Sequence, residues 1–186
     1  MRRPVASLLL WLFVINLGTA FGAGLFESRV LVPQWLSGSE QAGYHWNAEA
    51  ARQDNTGLAF WVYVTTVPLT LLTIGNLIAA WQAAGALRRW WLAAGVAALA
   101  DRAFTFAYFI PTMVRLMRVE SAADPETIAI ATQWAQLDYL RHAITLAAWL
   151  LALKAFAAFH QGAATRPGPS TRLSAPEPAG PPAGTT

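Results

Sequence analysis

Four long apolar stretches, separated by charged or turn-forming segments, limit this chain to a small set of folds. They run over about residues 5–26, 58–81, 90–111 and 137–159. A helix needs about 20 apolar residues to cross a bilayer, and inside the hydrocarbon every backbone polar group must be satisfied within the segment. The four stretches have that length, so the predicted fold class is all-α: a four-helix transmembrane bundle. Composition agrees, with 55% of the 186 residues apolar and 12% charged, against about 25% charged in a soluble domain. Asp101 and Arg102 interrupt the third stretch. It is still read as spanning, because the second and fourth would otherwise need a different topology.

The first stretch follows Met1-Arg2-Arg3, as a signal peptide would, and Ala20 and Ala23 are small enough for a cleavage site. Its apolar run is longer than the roughly 7–15 residues of a signal core, which predicts an uncleaved helix. Charge sets the orientation. Arg2, Arg3, Arg88, Arg89, Lys154, Arg166 and Arg172 fall on one side. The other side has Arg29, Arg52, Arg115 and Arg118 among many acids, including Glu27, Glu40, Glu49, Asp54, Glu120 and Asp124. The positive-inside rule places both termini in the cytoplasm. Trp81, Trp90 and Trp91 are expected in the inner aromatic belt, and Trp35, Trp46, Trp61 and Trp134 in the outer one. The Arg-dominated basic content suggests a bacterial source and its inner membrane.

Two outer connections are long. The one from Glu27 to Gly57 is expected to form an ordered cap with short helical pieces. The other contains Asp124-Pro125-Glu126, a strong helix start, so the fourth helix is expected to begin outside the membrane at Pro125. The segment 161–186 contains six of the eleven prolines and cannot bury enough apolar surface to fold, which predicts a disordered tail.

Several chemistries are excluded. The chain has no cysteine, which removes thiol redox chemistry, Cys-held clusters and covalent haem attachment. No two histidines sit in facing spans, no Walker loop or dinucleotide fingerprint occurs, and no metal site or cofactor is expected. There is no basic stripe with interleaved aromatics, so nucleic acid is not an expected partner; the lipid bilayer is. The number of copies that assemble is not legible.

Function is sought in polar groups within the spans, because a charge there costs about 2.5–3.5 kcal/mol and faces the bundle interior. Asp101 and Arg102 lie at mid-depth. At α-helical spacing Asp101, Phe104, Thr105, Tyr108 and Thr112 share one face. Asp138, Arg141, His142 and Thr145 form a second stripe near the outer end, with Asn16 and Glu27 on the first helix. These predict an outward-opening cavity floored by the mid-depth pair and walled by Phe104, Tyr108 and Trp134. It suits a flat aromatic or quinone-like molecule. Glu27 or His142 is the candidate base, with Arg141 and Tyr108 to stabilise an oxyanion; Asp101, Arg102, Phe104, Trp134, Asp138 and Asn16 are candidate ligand contacts. Structural alternatives stand beside each. Asp101 and Arg102 are sequence neighbours off a common face, and each can pair with another helix to hold the bundle. Glu27–Arg141 can be an inter-helix salt bridge, Phe104 plain packing, and His142 a hydrogen-bonded interface residue. Thr105 and Asn76 suit inter-helix hydrogen bonds, and Gly18, Gly22 and Gly24 close packing.

The run Asn16-Leu17-Gly18-Thr19-Ala20-Phe21-Gly22-Ala23-Gly24-Leu25-Phe26-Glu27, followed by Val30, Val32, Pro33 and Trp35, and the segment Trp134-Ala135-Gln136-Leu137-Asp138-Tyr139-Leu140-Arg141, resemble the anthrone-oxygenase-like family of small four-helix membrane proteins. The similarity spans roughly residues 5 to 160. It implies, by analogy with some fungal members, oxidation of an anthrone methylene by molecular oxygen without metal or flavin. The matching positions are Glu27, Trp35, Trp134, Asp138 and Arg141. The other expectation is a non-catalytic membrane component, either a partner subunit or a small carrier; a carrier would more often show inverted repeats and broken helices, which are not seen.

Overall fold

Runs of Leu, Ile, Val, Ala and Trp satisfy their own backbone hydrogen bonds only as helices in an apolar medium. The computed structural model, which describes residues 3–39, 43–53, 57–119 and 124–164, has four helices long and apolar enough to cross a membrane: Arg3–Trp35, Trp61–Trp81, Gly85–Met117 and Pro125–Gln161. The chain is a multi-pass membrane protein with an all-α bundle. Arg2, Glu40, Asp54, Glu120, Arg166, Arg172 and nearly all of the tail predicted to be disordered lie outside the described residues.

The first span is α1 (Arg3–Phe26), a π-helical turn (Glu27–Leu31) and α2 (Val32–Trp35). A two-stranded antiparallel hairpin follows, β1 (Leu36–Ser39) and β2 (Gly43–Trp46), in which Leu36 pairs with Trp46 and Ser37 with His45. Then come α3 (Ala48–Gln53), α4 (Gly57–Phe60), a second π-helical turn (Trp61–Thr66) and α5 (Val67–Trp81). A tight connection leads through Gly85, whose φ of 63° is a left-handed conformation that suits glycine, into α6 (Gly85–Phe104). A third π-helical turn (Thr105–Phe109), α7 (Ile110–Met117) and α8 (Pro125–Ala164) complete the chain. The first, third and fourth helices outrun the apolar stretches read from sequence. At 40 residues α8 is about 60 Å long, twice the hydrocarbon thickness. Asp124 caps it, with Oδ2 3.0 Å from both the backbone N and Oγ1 of Thr127.

α1 packs on α5 and α8, and α6 packs on the same two helices, so the four spans form a ring in chain order. The hairpin and α3 cover one end, here the cap end. Arg3, the α5–α6 turn and Phe159 mark the other, basal end, where the Arg3 guanidinium lies 5.7 Å from the Phe159 ring. The cap differs from expectation in containing strands as well as short helices.

Leu8, Ile15, Leu71, Ile78, Val96 and Leu150 are exposed around the bundle, the surface lipid would cover. Between the helices, lipid and side chains are equally apolar, so close approach decides association, and small residues permit it. Ala94, Ala98, Ala148 and Ala152 are fully buried against Phe13, Leu17 and Leu69. A Cβ at Gly95 would lie 2.6 Å from Leu77 Cδ2, and one at Gly18 would lie 3.1 Å from the Trp149 ring. Gly24 faces His142, whereas Gly22 faces open space and is not a packing position. Asn76 ties three spans: Nδ2 donates to Leu9 O (3.2 Å) and Leu72 O (2.8 Å), and Oδ1 accepts from Trp91 Nε1 (2.9 Å).

The aromatic-belt reading needs correction. Trp91 is buried in the basal core, and Trp35, Trp46 and Trp134 are buried in the cap core. Trp81 and Trp90 are exposed, each facing a cation: Arg88 at 5.1 Å and Lys154 at 4.7 Å.

Candidate functional site

Three of the four spans carry a π-helical turn, and each turn ends two residues before a proline: Pro33, Pro68 and Pro111. The residue before each proline donates its N–H five residues back: Val32 to Glu27 O, Val67 to Val62 O, Ile110 to Thr105 O. Proline lacks the N–H of a normal helical bond and its ring crowds the carbonyl four residues earlier, so the turn before it widens. Each widened turn inserts one residue into the helical count, which rotates later side chains by roughly 100° relative to an unbroken helix. Val64 O, four residues before Pro68, is left without its usual donor, and Asn16 Nδ2 supplies one at 2.7 Å. Asn16 is therefore a strut between the first two spans and does not line the cavity below.

The widened turns surround a cavity of about 160 Å³ just beneath the cap. Glu27 and Leu31 come from the first turn, Trp61 and Thr66 from the second, Thr105 and Phe109 from the third, and Trp134 and Arg141 from α8. Trp35, Ala51 and Met117 line its cap end. Glu27 and Arg141 are its charged lining residues, with Arg141 Nη2 3.8 Å from Glu27 Oε2 and its guanidinium 4.6 Å from the Phe109 ring centroid. The Trp61 side chain hydrogen-bonds the Glu27 carboxylate.

Behind Arg141 the polar groups continue inward. Asp138 accepts from Arg141 Nε (2.8 Å) and Nη2 (2.6 Å) through Oδ1, and from Ser28 Oγ (2.5 Å) through Oδ2. His142 Nδ1 lies 2.7 Å from Asp138 O. A carbonyl only accepts, so the proton there belongs to Nδ1. Deeper still, Asp101 Oδ2 accepts from Arg102 Nε (3.0 Å) and Nη2, while Thr145 Oγ1 lies 2.9 Å from Asp101 Oδ1. Asp101 and Asp138 are each 1% exposed. A second polar cavity of about 20 Å³ lies among Asp101, Arg102, Arg141, His142 and Thr145, room for one water molecule. Trp61, Thr66, Thr105 and Arg141 wall both cavities.

The buried carboxylates are not equivalent. Asp101 is matched by Arg102, and Asp138 by Arg141 and Ser28. Glu27 stands 3.8 Å from a guanidinium already engaged elsewhere, which leaves it the greatest capacity for a ligand. A larger crevice of about 450 Å³ lies at the basal end, but its lining has no acid, and its one charge, Arg3, sits over Phe159.

The sequence-based site is therefore partly redrawn. Glu27, Arg141 and Trp134 meet at one cavity, with Asp138 fixed behind Arg141. Asp101 has the expected partner on another helix, Thr145 of α8, but Arg102 pairs with Asp101 itself, and the two lie behind the cavity rather than forming its floor. His142 lines only the smaller cavity, so of the two candidate bases Glu27 alone faces the larger one. Phe104 and Tyr108 stack on each other at 5.8 Å and do not line it. The third π turn puts Phe109 where unbroken α spacing put Tyr108, so Tyr108 cannot assist Arg141 from its present position. Trp61, Thr66 and Phe109 were missed as lining; the X-Pro steps after them were the available signal. Among the described residues no three His, Asp or Glu side chains converge to hold a metal ion. No protein-family model, curated protein or solved structure matches the chain, and the site is read from its own geometry.

Proposed function

We propose that the cavity binds a small, flat, hydrophobic molecule carrying one acidic hydroxyl or an equally activated carbon, of the phenol or hydroquinone class. The observation that carries this reading is the Glu27–Arg141 pair set into a wall that, Thr66 and Thr105 apart, is aromatic and aliphatic. Glu27 would accept the ligand's proton or hydrogen bond, and Arg141, held by Asp138, would stabilise the oxygen left negative. In an enzyme this is the opening step of an oxidation, and the resemblance to anthrone-oxygenase-like proteins supports molecular oxygen as the acceptor. A volume of about 160 Å³ is close to that of a cavity known to hold benzene, about 150 Å³, which favours one ring over the three of an anthrone. The basic basal end would face the cytoplasm of a bacterial inner membrane, with the cap outside.

The test is equilibrium binding of methylhydroquinone and methylphenol to protein in lipid nanodiscs. Glu27→Gln and Arg141→Gln should each weaken binding by about tenfold or more. Unchanged binding in both would refute the site. The second reading, a non-catalytic membrane component, is favoured by the satisfied Asp101–Arg102 and Asp138–Arg141 pairs. It expects the same substitutions to lower stability, without any ligand effect.

A further inference from the structure

We propose that this cavity opens sideways into the bilayer, between the second and third spans, and takes the ring of an amphiphile whose hydrocarbon tail stays in lipid. The proposal rests on the reading that the cavity binds a ligand, and it names the ligand's class as a long-chain alkylated phenol or hydroquinone.

Three observations carry it. First, the volume of about 160 Å³ accommodates one ring, so any tail must leave through an opening. Second, the cavity's exposed lining residues are Ile110 and Val114, both apolar and both on the third span, with Thr66 of the second span also at the wall. The second and third spans pack closely through α5 and α6, their basal halves; close contact between their cap-end segments is sparse among the described residues. Third, described residues of the cap stand over that end of the cavity. Trp35, Ala51 and Met117 line it there, and α3 and β2 are pinned to the third span by Trp46 Nε1 to Leu116 O (2.9 Å) and Arg52 Nη1 to Met117 O (2.7 Å). The polar pair belongs to the first and fourth spans, across the ring from the gap. An amphiphile entering from lipid therefore meets Glu27 and Arg141 hydroxyl first, while its tail lies between Ile110, Val114 and the second span.

The experiment uses the full chain in nanodiscs, with methylhydroquinone and dodecylhydroquinone titrated as mole fractions of lipid. Ile110→Trp and Val114→Trp place an indole where the tail must pass. Each should weaken dodecylhydroquinone by at least about tenfold more than methylhydroquinone, whose own loss reports any change in the wall that both ligands touch. Retained methylhydroquinone binding also shows that the variants fold. Wild-type affinity of both variants for the long-chain ligand, or the same loss for both ligands, with wild-type binding still sensitive to Glu27→Gln, would overturn the lateral opening and leave the ligand site intact. Failure of both ligands to bind wild-type protein would overturn the site and the opening together, and failure of dodecylhydroquinone alone would overturn the opening only. An independent readout exploits the absence of cysteine: a nitroxide on Val114→Cys should collide more with lipid-dissolved oxygen than with a water-soluble nickel complex. The reverse order would place this rim in water and overturn the proposal.

Discussion

The basal and cap halves of the bundle use the same four helices for opposite purposes. In the basal half, α1, α5, α6 and α8 run as unbroken α-helices, alanines and Gly95 bring the backbones close, and Asn76 is buried with its amide engaged. In the cap half, three helices widen, five charged side chains are buried or half-buried within the spans, and a cavity remains. Dense apolar packing at one end supplies the association energy that lets the other end carry irregular backbone and costly charge.

The largest break in this comparison should come from unpairing a charge in the cap half. Asp101→Ala leaves Arg102, 7% exposed, without its carboxylate, and should lower unfolding stability by about 3–5 kcal/mol. Asp101→Ala combined with Arg102→Met should recover much of that in the same thermal or denaturant measurement. If the single variant is as stable as wild type, the pair is not a buried structural element. The basal half should respond to volume instead. Gly95→Ala pushes a methyl against Leu77 and should cost about 1–3 kcal/mol. Gly22→Ala, which meets nothing within 4 Å, should be neutral or stabilising by up to about 1 kcal/mol from helix propensity. Equal losses at both glycines would remove the contrast.

Smaller effects separate shape from stability. Pro111→Ala restores an N–H and should let the third span rewind, turning Phe109 away from the cavity. Stability should change by less than about 1 kcal/mol, whereas methylhydroquinone binding should fall severalfold. Asn16→Leu removes the donor to Val64 O and should cost about 0.6–1.7 kcal/mol, the range for hydrogen bonds between membrane helices. The smallest effect lies outside the membrane. Asp124 is held below the usual carboxylate range by the backbone and side chain of Thr127. Its cap is therefore present above the ordinary aspartate value near 4 and is lost as pH falls below it. Protection of the Thr127 amide, taken relative to its intrinsic exchange rate at each pH, should fall about severalfold between pH 5 and pH 2 while that at mid-α8 holds, with no loss of the bundle.

How much of this could be read beforehand depended on whether a residue's role follows from local chemistry or from register. Four spans, the helix start at Asp124-Pro125 and the inter-helix role of Asn76 follow from length, capping and the cost of buried polarity, all local properties. Glu27 and Arg141 were singled out because isolated charges near one depth need partners. Of the expected cavity walls Trp134 is in place, but the third span's contribution was not legible, because a regular 3.6-residue count carried across Thr105–Phe109 puts Tyr108 where Phe109 belongs. Asp101 does find a partner on another helix, Thr145, but the partner of Arg102 was misread for a related reason. Adjacent residues point apart on a helix, but an arginine side chain is long enough to fold back on its neighbour. The tryptophans failed differently: hydropathy does not distinguish an indole at the lipid–water boundary from one buried under a cap.

The prolines that follow the widened turns have a consequence for how such a protein can change. The outline of the chamber is written in the main chain, by three imino acids that themselves lie outside or at the edge of it. Its interior surface is supplied by other residues, such as Leu31, Trp61, Phe109 and Met113. Shape and chemistry are thereby encoded at separate positions. A lineage, or a protein engineer, can exchange the wall residues to admit a new guest without renegotiating how the helices meet.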